Sequence, residues 1–283
     1  MAFPSYAGKL EITWYYAYRV ICGMILFFLI APIAVIIPLS FNAEPYFTFS
    51  EEMLSFDPAG YSLKWYEDFF TDRNWQGAVK NSFIIAIFST IISVTLGTIA
   101  ALGLSRSEMP YKTLVMGILI SPMIVPLIIS AAGMFFFYTE IGLASTYAGV
   151  ILAHAALATP FVVITVTATL VGFDQSLTRA AATLGASPTT AFFRVIVPLI
   201  LPGVISGGLF AFVTSFDEVV VVKFVGSYEQ RTIPWSMFSG IREQISPTIL
   251  AVATLLVIFS IFLLTVVELL RRRNERQRGL SSI

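Results

Sequence analysis

The residues best equipped for chemistry in this sequence are Ser215-Phe216-Asp217-Glu218-Val219, where two adjacent carboxylates interrupt a long apolar stretch. A carboxylate at membrane depth costs about 2.5 kcal/mol or more on insertion scales unless it meets water, protein or a cation. Two readings stand open. In one, Asp217, assisted by Ser215 and Glu218, attracts an ammonium-bearing solute moving through a pore. In the other, the carboxylates form an interhelical or interfacial ion pair, with Lys223 as a candidate partner. If a helix leaves the cytoplasm near Pro202, Asp217 stands about 15 residues, or roughly 22 Å, along its axis. Adjacent helical residues point about 100° apart, so the two carboxylates cannot face the same point.

Other reactive chemistry is sparse. The single cysteine, Cys22, rules out an internal disulfide, and the single histidine, His154, has no companions for a metal cluster. They lie in different apolar runs, which disfavours a nucleophile–base pair and a membrane enzyme. Both read as packing residues. No Gly-Lys-Ser or Gly-Lys-Thr phosphate loop occurs, so the chain is not expected to bind ATP itself.

The elements that must carry Asp217 follow from composition. Of the 283 residues, 57% are hydrophobic and only 12% charged, too apolar for a water-soluble domain. Seventeen basic residues balance seventeen acidic ones, giving no electrostatic case for a nucleic-acid partner. A bilayer core needs about 20 apolar residues in helix. Six stretches satisfy this: 18–40, 81–104, 112–138, 147–171, 199–223 and 247–270. The first lacks a cleavage pattern and is too long for a signal peptide, so it reads as a retained anchor. The sequence therefore predicts an all-α integral membrane protein, with residues 1–17 as a cytoplasmic N-terminus, 18–270 as a six-helix domain and 271–283 as a basic cytoplasmic tail. An external loop spans 41–80 and a cytoplasmic loop 172–198.

Charge sets the orientation. With both termini inside, Lys9, Arg19, Arg106, Lys112, Arg179, Arg194, Arg271, Arg272, Arg273, Arg276 and Arg278 are cytoplasmic. Lys64, Arg73, Lys80, Lys223, Arg231 and Arg242 remain on or near the outside. That bias satisfies the positive-inside rule. Pro32, Pro122, Pro126 and Pro160 fall within spans and are expected to kink them.

The most specific segment is the 172–198 loop. It runs Arg179-Ala180-Ala181-Ala-Thr-Leu184-Gly185-Ala186-Ser187-Pro188, then Phe192-Phe193-Arg194-Val195-Ile-Val-Pro198. An Ala-rich helix should stop at Gly185 and a second should start at Pro188. Leu184, Phe192 and Phe193 would form an apolar knob facing the cytosol, a surface suited to a protein partner. This pattern resembles the coupling loop of binding-protein-dependent ABC importer permeases: Glu-Ala-Ala, three residues, Gly, and an Ile-x-Leu-Pro ending. Ala180, Ala181, Gly185 and Pro198 match. Arg179 replaces the usual Glu, and Val195 and Val197 replace Ile and Leu. The resemblance implies a type I (MetI-like) permease fold and a loop that docks on a cytoplasmic ATPase.

Further segments narrow the resemblance to the spermidine/putrescine branch, the second permease of the PotC and PotI kind. They are Lys64-Trp65-Tyr66 in the external loop, Asn81-Ser82, Ser121-Pro122 in the third span, Pro160-Phe161-Val162-Val163, Gly172-Phe173-Asp174, and Ser215, Asp217 and Glu218. Trp65 is a candidate for the outer entrance. Met123 stands where the branch carries an acidic residue, which suits a solute of lower charge, such as 4-aminobutyrate, an opine or another zwitterion. The resemblance implies a second homologous permease subunit, two copies of a cytoplasmic ATPase that binds the ATP and Mg, and an extracytoplasmic solute-binding protein, in a bacterial inner membrane. The chain itself is expected to hold no cofactor. A secondary, ion-coupled transporter is the alternative from another class.

Overall fold

The computed structural model describes residues 8–106, 108–172, 174, 176–243 and 246–277. Residues 1–7, positions 173 and 175 of the cytoplasmic loop and the basic tail from 278 onward lie outside them. In chain order the helices are α1 Lys9–Leu39, α2 Glu51–Leu54, α3 Lys64–Thr71, α4 Arg73–Leu104, α5 Lys112–Ile120, α6 Leu127–Glu140, α7 Tyr147–Val171 and α8 Ser176–Thr183. There follow α9 Pro188–Ala191, α10 Val197–Phe216, α11 Val220–Val225, α12 Ile233–Glu243 and α13 Thr248–Gln277. Among the described residues the only extended pairing is one bridge, Asn42 to Tyr61.

Five helices are long and apolar enough to cross a membrane, and a sixth span results if α5 and α6 count as one broken crossing. The expected six-span, all-helical architecture is borne out. Some boundaries move. α1 and α4 begin several residues before the apolar runs at 18 and 81, because a helix need not stop where the hydrocarbon does. The 199–223 span starts much earlier: α9, one π turn at Phe192–Ile196 and α10 form a continuous helical stretch, Pro188–Phe216. Its Pro188 is a first-turn proline, where no amide bond is lost. Pro32 and Pro160 lie inside uninterrupted helices.

The chain forms two compact units, one of residues 1–72 with 240–283 and one of Arg73–Ser239. In the first, α13 packs against α3 and α1. The 41–80 loop is tied to itself and to the end of α1. Trp65 Nε1 donates to the Asn42 carbonyl at 2.7 Å, Tyr66 Oη meets Ser40 Oγ at 2.6 Å, and the Lys64 ammonium lies 4.4 Å from the Trp65 ring centre.

The second unit is built on α7, which packs on both α4 and α10. Its buried face carries Val150, Ala153, Ala158, Val162 and Val166. Small residues let the backbones close up, as in membrane bundles where lipid offers no hydrophobic drive between helices. Ser89 and Ser93 of α4 donate to the carbonyls of Ile151 and Ala155 at 3.0 and 3.1 Å. At Gly207 of α10 a side chain would begin 2.9 Å from the Val162 Cα, so only glycine permits this approach.

Candidate functional site

Two helix breaks within the Arg73–Ser239 unit line one cleft. The first divides the 112–138 span. Pro122 and Pro126, four positions apart, each lack an amide hydrogen, so two rungs of the helical ladder are lost within about one turn, where Pro32 and Pro160 each remove one. α5 tightens into a 3₁₀ turn at Ser121–Met123, and α6 restarts after Pro126 at 96° to the preceding segment. The prolines predicted a kink; the structure shows a full break.

The second break corrects the expectation of a continuous 199–223 helix. α10 ends at Phe216 with Asp217 as its C-cap, and a separate short helix, α11, begins at Val220. No proline or glycine lies here. The cause is the Glu218 carboxylate, which accepts the amides of Val220, Val221 and Val222 at 2.8, 2.8 and 3.2 Å. Those amides would otherwise be orphan donors at a helix start. A helix opening on successive β-branched valines has weak intrinsic propensity, so this cap is what starts it.

The cleft between the breaks has a volume of about 780 Å³. Pro122, Met123 and Val125 come from the first break, Leu157 and Phe161 from α7, and Val213, Thr214 and Asp217–Val220 from the second. Its walls are apolar except around the two carboxylates. Asp217 is exposed, and its side chain makes no hydrogen bond among the described residues. Glu218 is 7% exposed, its oxygens turned onto backbone amides. The two carboxylates therefore diverge through the backbone break, not through helical rotation.

The structure brings Met123, Asp217 and Glu218 to one cleft and leaves Ser215 behind it. Ser215 is 3% exposed and its Oγ lies 2.8 Å from His154 Nδ1. His154 thus departs from the packing role read for it. It is buried on α7, with Nε2 3.6 Å from Glu218 Oε2. A lone imidazole in an apolar span must find polar partners, but nothing local in the sequence picks out Ser215 or Glu218 among the polar residues of the spans. Lys223 makes no ion pair with Asp217 or Glu218; its ammonium lies 4.6 Å from the Phe238 ring centre. Trp65 belongs to the other unit, with the contacts given above.

The elbow in the 172–198 loop has the expected form. α8 ends at Thr183, and Gly185 takes φ +81°, the left-handed conformation. The Ala186 amide bonds to the Ala181 carbonyl and the Gly185 amide to Ala182, both at 3.0 Å, a Schellman closure. Ser187 then accepts the Thr190 amide and Pro188 opens the next helix. Leu184 is 88% exposed and Phe193 67%. Phe192 is half-buried, its ring 5.0 Å from that of Phe193, so the knob is narrower than expected. Arg179, Ala180 and Pro198 are exposed; Ala181 and Ala186 are half-buried. Ahead of α8, Asp174 accepts the amide and hydroxyl of Ser176 at 2.8 and 2.7 Å, which holds its carboxyl below the usual carboxylate range.

A membrane bundle with two broken crossings and this elbow defines a transport permease. Residues 93–276 match the family described as binding-protein-dependent transport system inner membrane component, and the chain belongs to that family. It is 31% identical over 248 residues to the spermidine/putrescine transport system permease protein PotC of Haemophilus influenzae, covering 88% of this chain and 93% of the relative. It is also 31% identical over 236 residues to the putrescine transport system permease protein PotI of Escherichia coli, covering 81% of each. A chain of a bacterial ABC transporter that imports the acidic polysaccharide alginate shares the fold, with a TM-score of 0.71 at 15% identity, over 95% of this chain and 99% of that one.

Proposed function

We propose that this chain forms part of the translocation pathway of an ATP-driven importer for a small cationic solute, a polyamine such as spermidine or putrescine. The observation that carries this reading is the exposed Asp217 carboxylate in an otherwise apolar cleft, with Glu218 committed to the backbone. A single free negative charge among apolar walls selects an ammonium group next to methylenes. The PotC and PotI relatives, permeases of spermidine/putrescine and putrescine transport systems, agree with that choice. Met123 on the same cleft supports a second reading, a zwitterion with one ammonium group such as 4-aminobutyrate or an opine.

Energy comes from partners in this reading. A cytoplasmic ATPase dimer, which binds ATP and Mg, receives the Leu184 and Phe193 knob, a second homologous permease completes the pathway, and an extracytoplasmic binding protein delivers the solute. The bias of basic residues supports a cytoplasmic location for both termini and the 172–198 elbow. ATP-driven closure moves the elbow, and the helical stretch Pro188–Phe216 carries the motion to the cleft.

The test is solute-stimulated ATPase activity of the reconstituted complex with its partner permease, ATPase and binding protein. Stimulation by spermidine or putrescine is expected. Stimulation by 4-aminobutyrate or an opine alone would keep the importer and replace the solute. Uptake driven by an ion gradient without ATPase coupling would refute the reading of the elbow.

A further inference from the structure

We infer that His154 is a positioning residue of the cleft: Nδ1 holds Ser215 on the α10 side of the α10–α11 break, Nε2 faces the Glu218 cap on the α11 side, and this bridge directs Asp217 toward the solute. The inference rests on Asp217 being the group that meets the solute.

Nδ1 lies 2.8 Å from Ser215 Oγ in the last turn of α10, and Nε2 lies 3.6 Å from Glu218 Oε2, the cap of α11. Only Phe216 and Asp217 separate these two residues. Phe216 is fixed independently, its ring 5.4 Å from Phe83 and 5.5 Å from Phe212. With Ser215 hydrogen-bonded to His154, Glu218 bonded to the α11 amides and Phe216 packed, little freedom is left to the Asp217 backbone.

Packing alone does not account for an imidazole at this place. His154 is 1% exposed, and its Nε2 has no hydrogen-bond partner within normal distance. Leaving a buried polar atom so costs about 1–3 kcal/mol, which an apolar side chain of similar size would avoid. What the imidazole supplies instead is two polar faces at fixed separation on α7, a helix packed along α10. The tautomer protonated on Nε2 turns N–H toward the Glu218 carboxylate and leaves Nδ1 to accept from the Ser215 hydroxyl. The imidazole therefore ties the end of α10 to a second, uninterrupted span and turns its other nitrogen toward the cap of α11.

Because His154 is the only histidine in the chain, the test can be read at one residue. The assembled complex is prepared with [15N]histidine in this subunit alone, and the two ring-nitrogen resonances are recorded without solute. Ser215→Ala is expected to move the Nδ1 resonance and Glu218→Gln the Nε2 resonance. In solute-stimulated ATPase assays, His154→Leu is expected to raise the half-saturating solute concentration about tenfold, the size of one lost buried partner, with a smaller change in maximal rate. His154→Asn, which can still reach Ser215, should recover part of the loss. If His154→Leu does not assemble, Ser215→Ala removes one side of the bridge with little volume and carries the same comparison. Ring resonances unmoved by both substitutions would overturn the bridge. Half-saturation unchanged in the variants, or in Asp217→Asn with the resonances moving as expected, would leave a purely architectural bridge and overturn the positioning role.

Discussion

Replacing Asp217 by Asn removes one negative charge and almost no volume. The side chain makes no hydrogen bond among the described residues, and its amide bond to the Val213 carbonyl belongs to the backbone. A solute ammonium about 4 Å from the carboxylate gains about 1 kcal/mol in bulk water and about 4 kcal/mol at an effective dielectric near 20. Asp217 is exposed but walled by Met123, Phe161 and Val213, an environment between those limits. About 2 kcal/mol is the expected loss, or roughly a thirtyfold rise in half-saturating solute concentration. Stability should move the other way. Asp217 caps the C-terminus of α10, where a negative charge opposes the helix dipole by about 0.3–1 kcal/mol, so Asp217→Asn should assemble at least as well as the natural chain. The assay is uptake into vesicles as a function of solute concentration, beside co-purification and thermal unfolding of the complex. A variant with unaltered uptake, or one that transports poorly only because it assembles poorly, would refute the reasoning. Asp217→Glu, which keeps the charge, should fall between the two.

Gly185→Ala meets no steric obstacle, since nothing lies within 4 Å of the added carbon, but it forces alanine to φ +81° at a cost of about 1–2 kcal/mol. Gly185→Asn should lose less; equal ATPase coupling in the two variants, measured in the reconstituted complex, would contradict the left-handed elbow. Asp174, held below its ordinary range by Ser176, supports the start of α8 at pH values above the unfolded carboxyl pKa of about 3.9, and that support is lost as pH falls through its lower folded value. Amide hydrogen exchange at 177–180 should therefore stay protected at pH 5 and rise only below about 4, with Ser176→Ala shifting the rise upward.

Apolar length made the uninterrupted crossings legible, because a bilayer imposes the same requirement on every span: the 147–171 stretch coincides with α7. Turn chemistry made the elbow legible, since Gly185, Ser187 and Pro188 each do there what their backbone preferences dictate. The two breaks were legible unequally. Prolines announced the first without its angle. The second depends on Glu218 folding back onto three amides, and a glutamate in an apolar run reads equally as a pathway residue or an ion-pair partner until those amides are located. The role of His154 was hidden for the same reason: its partners lie 61 and 64 positions away, beyond any local pattern.

The π turn at Phe192–Ile196 bears on which length changes the chain can accept. A π turn is a widened turn within an otherwise α-helical path. Deleting one residue there would return the path to plain α-helix with little change of phase, because the widened turn is what accommodates the extra residue, and Leu184 and Phe193 would keep close to their present bearing relative to Asp217. A deletion between Val197 and Phe216 has no widened turn to absorb it and would rotate the two ends of the stretch by about 100° against each other, so that the elbow and the Ser215–His154 contact could not both be kept. Substitutions along this stretch are thus a matter of packing, whereas its residue count, outside the widened turn, is a matter of phase between the elbow and the part of the molecule that lines the cleft.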